Sequence, residues 1–489
     1  MVEDFLNSKI PPHIRLNYDD LYVNIIAGDV TFSNVKCDIS LRDSDAIHTN
    51  IDIKKLKIDD LSYWQFFIKN TIHTSDVLID EPLVNYQPSK HQSHDSTTSN
   101  GVVNLLKKII VKKVRLRNGK FLISHKDSSK NQLIAESINF ELNNSATGPD
   151  QIKKKIPITY DSYTFSTGHL FVDISKFETV TAASLMINES NAELQNLVLK
   201  TKHSKTELSN LSPTEIDHIN LKISTSTLDD IDFGFEGDQF FFSSTLFDVT
   251  GADLKIYRDK IIDDDLRIKK MYSRMIRELP LKLRLDKIQM TNSKVQYEEQ
   301  TTYETPAGLL FFDNVTAQIM HLGNGFDKTQ ETKCLIKGDL MGVAPTTLGY
   351  HFNMNNSDDA FTMTASLFNL NGKAVNSFLT PNLNAEVQGV IDELYLTTSG
   401  NAFAATGQMK MKYKNLEFNL LKKDRLKINK LLSAIGNLFI NDGSDTDAKG
   451  YRHGTINVER DPTKSFFNHV WVSTQDGLLS TIAGNGKKD

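Results

Sequence analysis

Several features that identify common protein classes are scarce or missing in this sequence of 489 residues. It has two cysteines, Cys37 and Cys334, which cannot make a disulfide framework and are interpreted as small hydrophobic residues on strands. No run approaches the roughly 20 apolar residues of a membrane-spanning helix, and the first residues lack the apolar core of a signal peptide. The net charge is −5, with both signs interspersed, so nucleic acid is not an expected partner.

Sequence motifs for catalysis and cofactor binding are also missing. There is no P-loop, no Gly-rich dinucleotide fingerprint, no His-Glu-x-x-His and no Gly-x-Ser-x-Gly. His91 and His94 have the spacing of metal ligands, but they lie in a polar Ser/Thr/His-rich stretch without further ligands, which favours a solvated loop. We therefore expect no catalytic residue, no metal site and no cofactor.

The most regular pattern in the sequence is the alternation of apolar and polar residues over residues 403–413. Side chains alternate between the two faces of a strand, so this pattern predicts a long strand with one apolar face. A shorter stretch at residues 361–367 has the same design. The large apolar positions of the two stretches are Phe361, Met363, Leu367, Phe403, Met409, Met411 and Tyr413.

A weak internal repeat relates residues 114–123 to residues 288–297. Each copy contains an Asn followed by a small residue, Asn-Gly at 118–119 and Asn-Ser at 292–293. Asn-Gly is a strong signal for a two-residue hairpin loop, so we predict a β-hairpin in each copy. The same-face pairs expected across these hairpins are Leu116 with Phe121 and Met290 with Val295.

Two predicted helices carry clusters of basic residues. The first spans residues 262–279 and the second spans residues 426–440. Each is compatible with an amphipathic helix at a membrane surface or with a connector whose charged side is solvated. The basic residues in question are Arg267, Lys269 and Lys270 in the first cluster, and Lys422, Lys423 and Arg425 in the second.

The fold class predicted from these patterns is mainly β, with a long antiparallel sheet and a few short helices at its ends and between its lobes. Further short helices are expected within residues 61–68, at 373–379 and at 466–482. The expected order of regions is an N-terminal β region (1–86), a polar linker (87–100), a first β lobe (101–260), a connecting helix (261–280), a second β lobe (281–425) and a helical closing segment (426–489).

Three stretches together resemble AsmA-like proteins of the Bacteroidota type. Residues 51–86 consist of a strand, the segment Leu-Ser-Tyr-Trp-Gln-Phe-Phe-Ile and a second strand through Asp-Glu-Pro-Leu-Val, and they resemble the amino-terminal region of that family. Residues 281–319 resemble its repeated hairpin unit. Residues 389–468, with Gly-Gln-Met-Lys-Met-Lys-Tyr and Glu-Arg-Asp-Pro-Thr-Lys-Ser-Phe-Phe-Asn, resemble its carboxy-terminal region.

The resemblance implies a non-enzymatic protein whose long, bent antiparallel β-sheet forms a β-groove with a hydrophobic floor. Members of this group, which is related to TamB and to the bridge-like lipid-transfer proteins, are associated with outer-membrane assembly and with carrying phospholipids between membranes. The implied location is the periplasmic side of the cell envelope, with an inner-membrane anchor that is absent from this sequence. The implied partners are a phospholipid or another acyl lipid, the membrane surface and envelope proteins.

The resemblance favours a lipid groove lined by the apolar positions named above in residues 361–367, in residues 403–413 and in the two repeat copies, but alternation alone does not distinguish an open groove from a closed core. Apolar faces of β-sheets are commonly packed against a second sheet or against helices. A structural envelope scaffold with a closed β core is therefore the alternative function. An enzyme on a β scaffold, such as a glycosidase, is disfavoured because the sequence offers no identifiable pair of catalytic acids.

Overall fold

The computed structural model describes residues 11–41, 45–88, 107–126, 130–421 and 446–484. The chain is mainly β, with 61% strand and 12% helix, which confirms the predicted fold class. The 23 strands of the described residues belong to one large mixed sheet. Contacts within the chain divide it into two compact units, unit 1 at Met1–Val198 and unit 2 at Leu199–Asp489, and each is described by itself.

Unit 1 consists almost entirely of strands. The strand expected at the start of residues 51–86 and the short helix expected within residues 61–68 are confirmed as β4 and α1. Its elements are β1 (Ile14–Asn17), β2 (Asp20–Asn24), β3 (Asp29–Ser40), β4 (Ile47–Asp59), α1 (Tyr63–Ile68), β5 (Thr71–Tyr86), β6 (Lys108–Ser124), β7 (Asn131–Thr147), β8 (Ser162–Thr167), β9 (Leu170–Asp173), β10 (Glu178–Ala182), β11 (Ser184–Asn188) and β12 (Asn191–Thr201), which ends just beyond the unit boundary.

Unit 2 contains longer strands and four of the described helices. The helices predicted at 373–379 and 466–482 are confirmed, although the first continues to Leu383. The elements are α2 (Lys205–Leu211), β13 (Asp217–Asp229), β14 (Asp232–Glu236), β15 (Gln239–Asp259), α3 (Tyr272–Arg277), β16 (Lys282–Gln300), β17 (Gly308–Leu322), β18 (Glu331–Leu340), β19 (Ala344–Asn353), β20 (Phe361–Asn371), α4 (Asn376–Leu383), β21 (Ala385–Gly400), β22 (Ala404–Leu420), β23 (Arg452–Glu459) and α5 (Phe466–Ala483).

The two predicted Asn hairpins are wrong, because each Asn is a β-bulge inside one long strand. Asn118 lies within β6 and Asn292 within β16; both have φ of +48°, and the pairing register shifts beside each of them. A bulge needs the same left-handed backbone as a tight hairpin turn, and Asn tolerates it, so one sequence signal serves both structures. The pairs predicted to face each other instead lie along one strand, on either side of its bulge: Leu116 with Phe121, and Met290 with Val295.

The internal repeat is present and is larger than predicted. In each copy a strand pairs in parallel with the bulged strand, β5 with β6 and β15 with β16. The bulged strand then pairs antiparallel with the next one, β7 or β17. Parallel neighbours require a crossover, so the chain between β5 and β6 corresponds to the chain between β15 and β16. The sheet is consequently mixed, which corrects the expectation of purely antiparallel pairing.

The predicted connecting helix is much shorter than residues 262–279, since α3 covers only Tyr272–Arg277. The residues before it make other hydrogen bonds. The Asp265 carboxylate accepts the backbone N–H of Arg267 at 3.2 Å, and the backbone N–H of Lys269 donates to the carbonyl of Pro462 at 2.8 Å. A hydrogen bond between an Asp side chain and nearby backbone competes with the helical hydrogen-bond pattern, which explains why α3 begins only at Tyr272.

Some predictions fall outside the described residues. These are the helix at 426–440 with Lys422, Lys423 and Arg425, and nearly all of the linker at 87–100, including His91 and His94. In the part of the chain that the structure describes, no helix is long and apolar enough to cross a membrane. The boundary between the two compact units falls within β12, whereas the predicted lobes meet at residues 261–280.

Candidate functional site

The apolar face of unit 1 is built from rows of side chains that cross six neighbouring strands, β3 to β8. Residues paired in register on adjacent strands project from the same face of the sheet, so each row is a continuous apolar stripe. The first row is Phe32, Leu56, Ile79, Leu116, Phe140 and Phe165; the second is Val30, Ile58, Val77, Val114, Leu142 and Tyr163.

The apolar face of unit 1 continues past the bulges. Phe32 and Val35 are three residues apart in β3, yet both pack in one buried cluster, because Asn34 between them has φ of +51°. A third row follows beyond this point and contains the predicted residue Phe121. Its members are Cys37, Ile51, Val84, Phe121, Ala135 and Leu170.

Most side chains on this face are half-buried. Of the 12 residues in the first two rows, only Val30, Phe32 and Leu142 are fully buried. A single sheet layer produces this pattern, because neighbours on the same face cover the flanks of each side chain while its top stays accessible. A second sheet packed at ~10 Å would bury those tops as well. The face therefore has the exposure expected of an uncovered layer.

The opposite face of the unit 1 sheet is charged. Cross-strand ion pairs connect Lys54 to Glu81 at 2.7 Å and Lys113 to Glu141 at 2.8 Å. Further along, Lys120 contacts Glu136 at 2.7 Å, and this contact lowers the pKa of the Glu136 carboxyl. The sheet is thus amphipathic, with water-facing ion pairs on one side and the apolar rows on the other.

Unit 2 has its own apolar face, built in the same way over more strands. It contains the predicted residues Met290 and Val295, each half-buried. Its main rows are Leu228, Phe247, Ile288, Ile319, Cys334, Tyr350 and Met363; Val249, Met290, Ala317, Ile336, Leu348, Ala365, Leu396 and Met409; and Leu254, Val295, Phe312 and Leu340.

Helix α5 closes the C-terminal end of the unit 2 face. The Phe466 ring lies 5.0 Å from the ring of Tyr350 and 5.8 Å from that of Phe361, centroid to centroid. The predicted groove residues at this end are therefore members of a closed core and do not line an open groove. These residues are Phe361, Met363, Leu367, Met409 and Met411, all of which are buried.

The remaining two residues predicted for this groove are not fully buried. Phe403 is 72% exposed and precedes β22, because the Asn401 side chain accepts the backbone N–H groups of Phe403 and Ala404 and makes a turn there. Its assignment to the apolar face is wrong. Tyr413 is half-buried and packs against the edge of the closed core.

Helix α4 covers another part of the unit 2 face. The Phe378 ring lies 6.4 Å from the ring of Tyr297, and the Ser377 hydroxyl donates to the carbonyl of Leu309 at 3.1 Å. Burial raises the pKa of the Tyr297 phenol, which stays neutral. The half-buried positions around Phe247 and Ile288 lie outside the part of the unit 2 face that α4 covers.

The basic residues of the connecting segment are paired with carboxylates. Asp265 contacts both Arg267, at 2.9 Å, and Lys269, and the Arg267 hydrogen bond is the main reason that its pKa is lowered. Lys270 contacts Glu278 at 2.5 Å; hydrogen bonds from Arg274 and Lys270 lower the pKa of Glu278 to about 2. This neutralisation argues against the predicted basic membrane-surface helix and favours a connector.

The apolar rows of both units contain no Asp, Glu, Lys or Arg side chain. Burial raises the pKa of the Cys334 thiol to about 11 and also raises the pKa values of Cys37 and Tyr163. Among the described residues there is no group of three or more His, Cys, Asp or Glu side chains placed to hold a metal ion. Such a surface can hold apolar chains by burial alone, with no reacting group.

The sequence patterns missed several members of the apolar rows, notably Phe140, Phe165 and Phe247. Each lies in a short alternating stretch, so the alternation itself was the available signal; the strand register that brings them into rows was not visible.

Comparison with known proteins does not assign the chain to a family, because no family model matches the sequence and no curated protein matches it. The likeness to AsmA-like proteins therefore stays a prediction.

Proposed function

We propose that this chain is a non-enzymatic, membrane-associated protein of the cell envelope whose apolar sheet faces bind the acyl chains of phospholipids. In this role it shields the tails while phospholipid moves between the inner and outer membranes, and the headgroups stay in water. The observation that carries the proposal is the half-burial of the unit 1 apolar rows, which leaves an apolar stripe accessible from one side.

The dimensions of these rows suit an acyl chain. A row across six strands covers five inter-strand spacings of ~4.8 Å, or about 24 Å. One leaflet of a bilayer has a hydrocarbon depth of about 15 Å, half of the ~30 Å core. A lipid tail therefore fits within one row, and each CH₂ that it buries contributes ~0.8 kcal/mol to binding.

The second candidate function is a structural scaffold with a closed β core. The observation that favours it is the C-terminal core of unit 2, where Met363, Met409 and Met411 are fully buried. In that case the half-buried rows of unit 1 would serve protein–protein contact. The two candidates differ in whether the purified chain binds lipid.

Native mass spectrometry of the delipidated full chain, mixed with phosphatidylethanolamine in detergent-free buffer, tests the proposal. We expect bound lipid for the natural chain, and loss of binding for Leu116→Asp and Phe140→Asp without global unfolding, because both side chains lie in an accessible row. Lys112→Asp is the matched control, since this exposed residue of β6 lies outside the apolar rows. A natural chain that never binds lipid, or global unfolding of both row variants, would support the scaffold instead.

A further inference from the structure

One end of unit 1 exposes a cluster of large apolar side chains that no part of the proposed lipid-binding face uses. Helix α1 contributes Trp64, Phe67 and Ile68, and the loop between β2 and β3 contributes Ile25 and Ile26. These five side chains, which we call the apolar tip, are between 63% and 101% exposed. Exposed large apolar groups clustered in this way mark an interaction surface.

Backbone contacts hold the two parts of the apolar tip together. The backbone N–H of Leu61, just before α1, donates to the carbonyl of Gly28 in the loop at 2.9 Å. Gly28 has φ of +74°, and a Cβ there would lie 2.7 Å from the carbonyl oxygen of Leu61, so only glycine allows this approach. Ser62 caps α1 by accepting the N–H of Gln65. The tip is thus a fixed feature.

Lysines gather beside the apolar tip. The Lys107 ammonium lies 3.6 Å from the centroid of the Phe66 ring, and Lys108 pairs in register with Thr71, directly after α1. Gly148 packs on Lys108 and so places the loop after β7 at the same end of the sheet. The lysines of this end are Lys69, Lys107, Lys108, Lys153, Lys154 and Lys155.

Carboxylates are fewer than lysines on the side of the apolar tip that faces β6 and β7. Asp150 lies 3.8 Å from Lys153 in the loop after β7. Asp29, Asp59 and Asp60 lie on the other side, near the β2–β3 loop, where Asp59 is paired with Lys57 at 2.8 Å. The side of the tip that faces β6 and β7 therefore has a positive surface.

We propose that the apolar tip docks unit 1 on a lipid bilayer that contains anionic phospholipid. Trp and other aromatic side chains favour the interface between headgroups and acyl chains, and nearby lysines attract anionic headgroups. Helix α1 has six residues and inserts side chains at the interface without spanning the bilayer. The tip lies where β4 ends and β5 begins, so docking brings the strand ends beside the second apolar row to the membrane.

Tryptophan fluorescence gives a direct test, because Trp64 and Trp471 are the two tryptophans of the chain. In a Trp471→Phe variant of the full chain, all tryptophan emission comes from Trp64. We expect its emission to shift to shorter wavelength on addition of mixed phosphatidylcholine–phosphatidylglycerol vesicles. Acyl chains brominated close to the headgroup should quench it. Vesicles of phosphatidylcholine alone should give a much weaker response.

Single substitutions distinguish the contribution of the apolar tip to vesicle binding from that of other exposed apolar residues. Phe67→Ser and Ile26→Ser should each weaken vesicle partition about tenfold, which corresponds to ~1.4 kcal/mol. Leu266→Ser and Ile268→Ser are matched controls, because these residues of unit 2 are 73% and 76% exposed, and they should leave partition unchanged. Lys154→Glu should weaken binding only to vesicles that contain phosphatidylglycerol.

An unchanged Trp64 emission, or equal losses in the control variants, would overturn the proposal. Equal binding to both kinds of vesicle would reject its electrostatic part. Self-association that Phe67→Ser abolishes, without vesicle binding, would assign the tip to contact with a second copy of the chain. The outcome is separable from the proposed function: loading with soluble short-chain phospholipid, measured by native mass spectrometry, tests the apolar rows whether or not the tip binds a membrane.

Discussion

The buried guanidinium of Arg452 on β23 donates from Nε to the carbonyl oxygen of Thr481, in the last turn of helix α5, at 3.0 Å. Its Nη2 atom also donates to the carbonyl of Gly484 at 2.5 Å. A cation at a helix C-terminus satisfies carbonyls that have no partner within the helix and opposes the negative end of the dipole. Arg452 thus fixes the helix that closes the unit 2 face.

We predict that Arg452→Met lowers the free energy of unfolding by about 3 kcal/mol, because it leaves the carbonyl of buried Thr481 and that of Gly484 without this donor. Arg117→Met is the control and should change stability by less than about 0.5 kcal/mol, since Arg117 on β6 is exposed. Urea denaturation of each variant measures both values. Equal stability of Arg452→Met and the natural chain would show that the cap does not hold α5 in place.

Met411 and Phe403 should respond in opposite ways to the same substitution. Met411 is 0% exposed in the closed core, whereas Phe403 is 72% exposed in the turn before β22. Met411→Asp removes core packing and buries a carboxyl, so we expect a loss of about 4 kcal/mol or more. Phe403→Asp should be nearly neutral. Thermal melts of the two variants test this prediction. Similar melting temperatures would mean that the apolar face of unit 2 is open at Met411.

The bulge at Asn118 should depend on its backbone conformation. Asn118→Val places a β-branched residue at φ of +48° and should cost about 1–2 kcal/mol. Asn118→Gly should cost much less, because glycine adopts this conformation freely. Chemical denaturation of both variants is the measurement. A valine variant as stable as the glycine variant would argue that β6 has no left-handed residue at this position.

The two cysteines provide reporters on the apolar faces. The pKa of Cys334 is raised to about 11 by burial, so its thiol stays protonated at neutral pH and should alkylate about a hundredfold more slowly than a free thiol. Cys37, half-buried in the third row of unit 1, should be protected further when phospholipid is bound. Mass-spectrometric alkylation rates at each site test this, with the urea-unfolded chain as reference. Fast native alkylation of Cys334 would contradict its burial.

The strands and several helices follow from local sequence patterns. Alternation in residues 403–413 predicted β22, and the helix expected at 466–482 is present as α5. These elements were predictable because side-chain alternation and helix capping act over a few residues. The turn at Asn401 moved Phe403 off the strand, which alternation alone does not reveal.

Long-range pairing was harder to predict. Asn118 satisfies a hairpin and a bulge equally well, and the choice depends on the parallel neighbour β5, which is distant along the chain. Likewise, Met409 and Leu116 have similar sequence surroundings, but only Met409 lies in the core that α5 closes. The degree of cover over an apolar strand is therefore a tertiary property, and the sequence pattern does not contain it.

Photocrosslinking with a phospholipid that carries a diazirine near the end of its acyl chain tests the central claim most directly. After irradiation of the lipid-loaded full chain and peptide mapping, we predict adducts on the apolar rows of unit 1, concentrated on the peptides that contain Leu116 and Phe140. Adducts confined to the charged face, scattered without preference, or absent from a chain exposed to excess lipid would contradict an acyl-binding face.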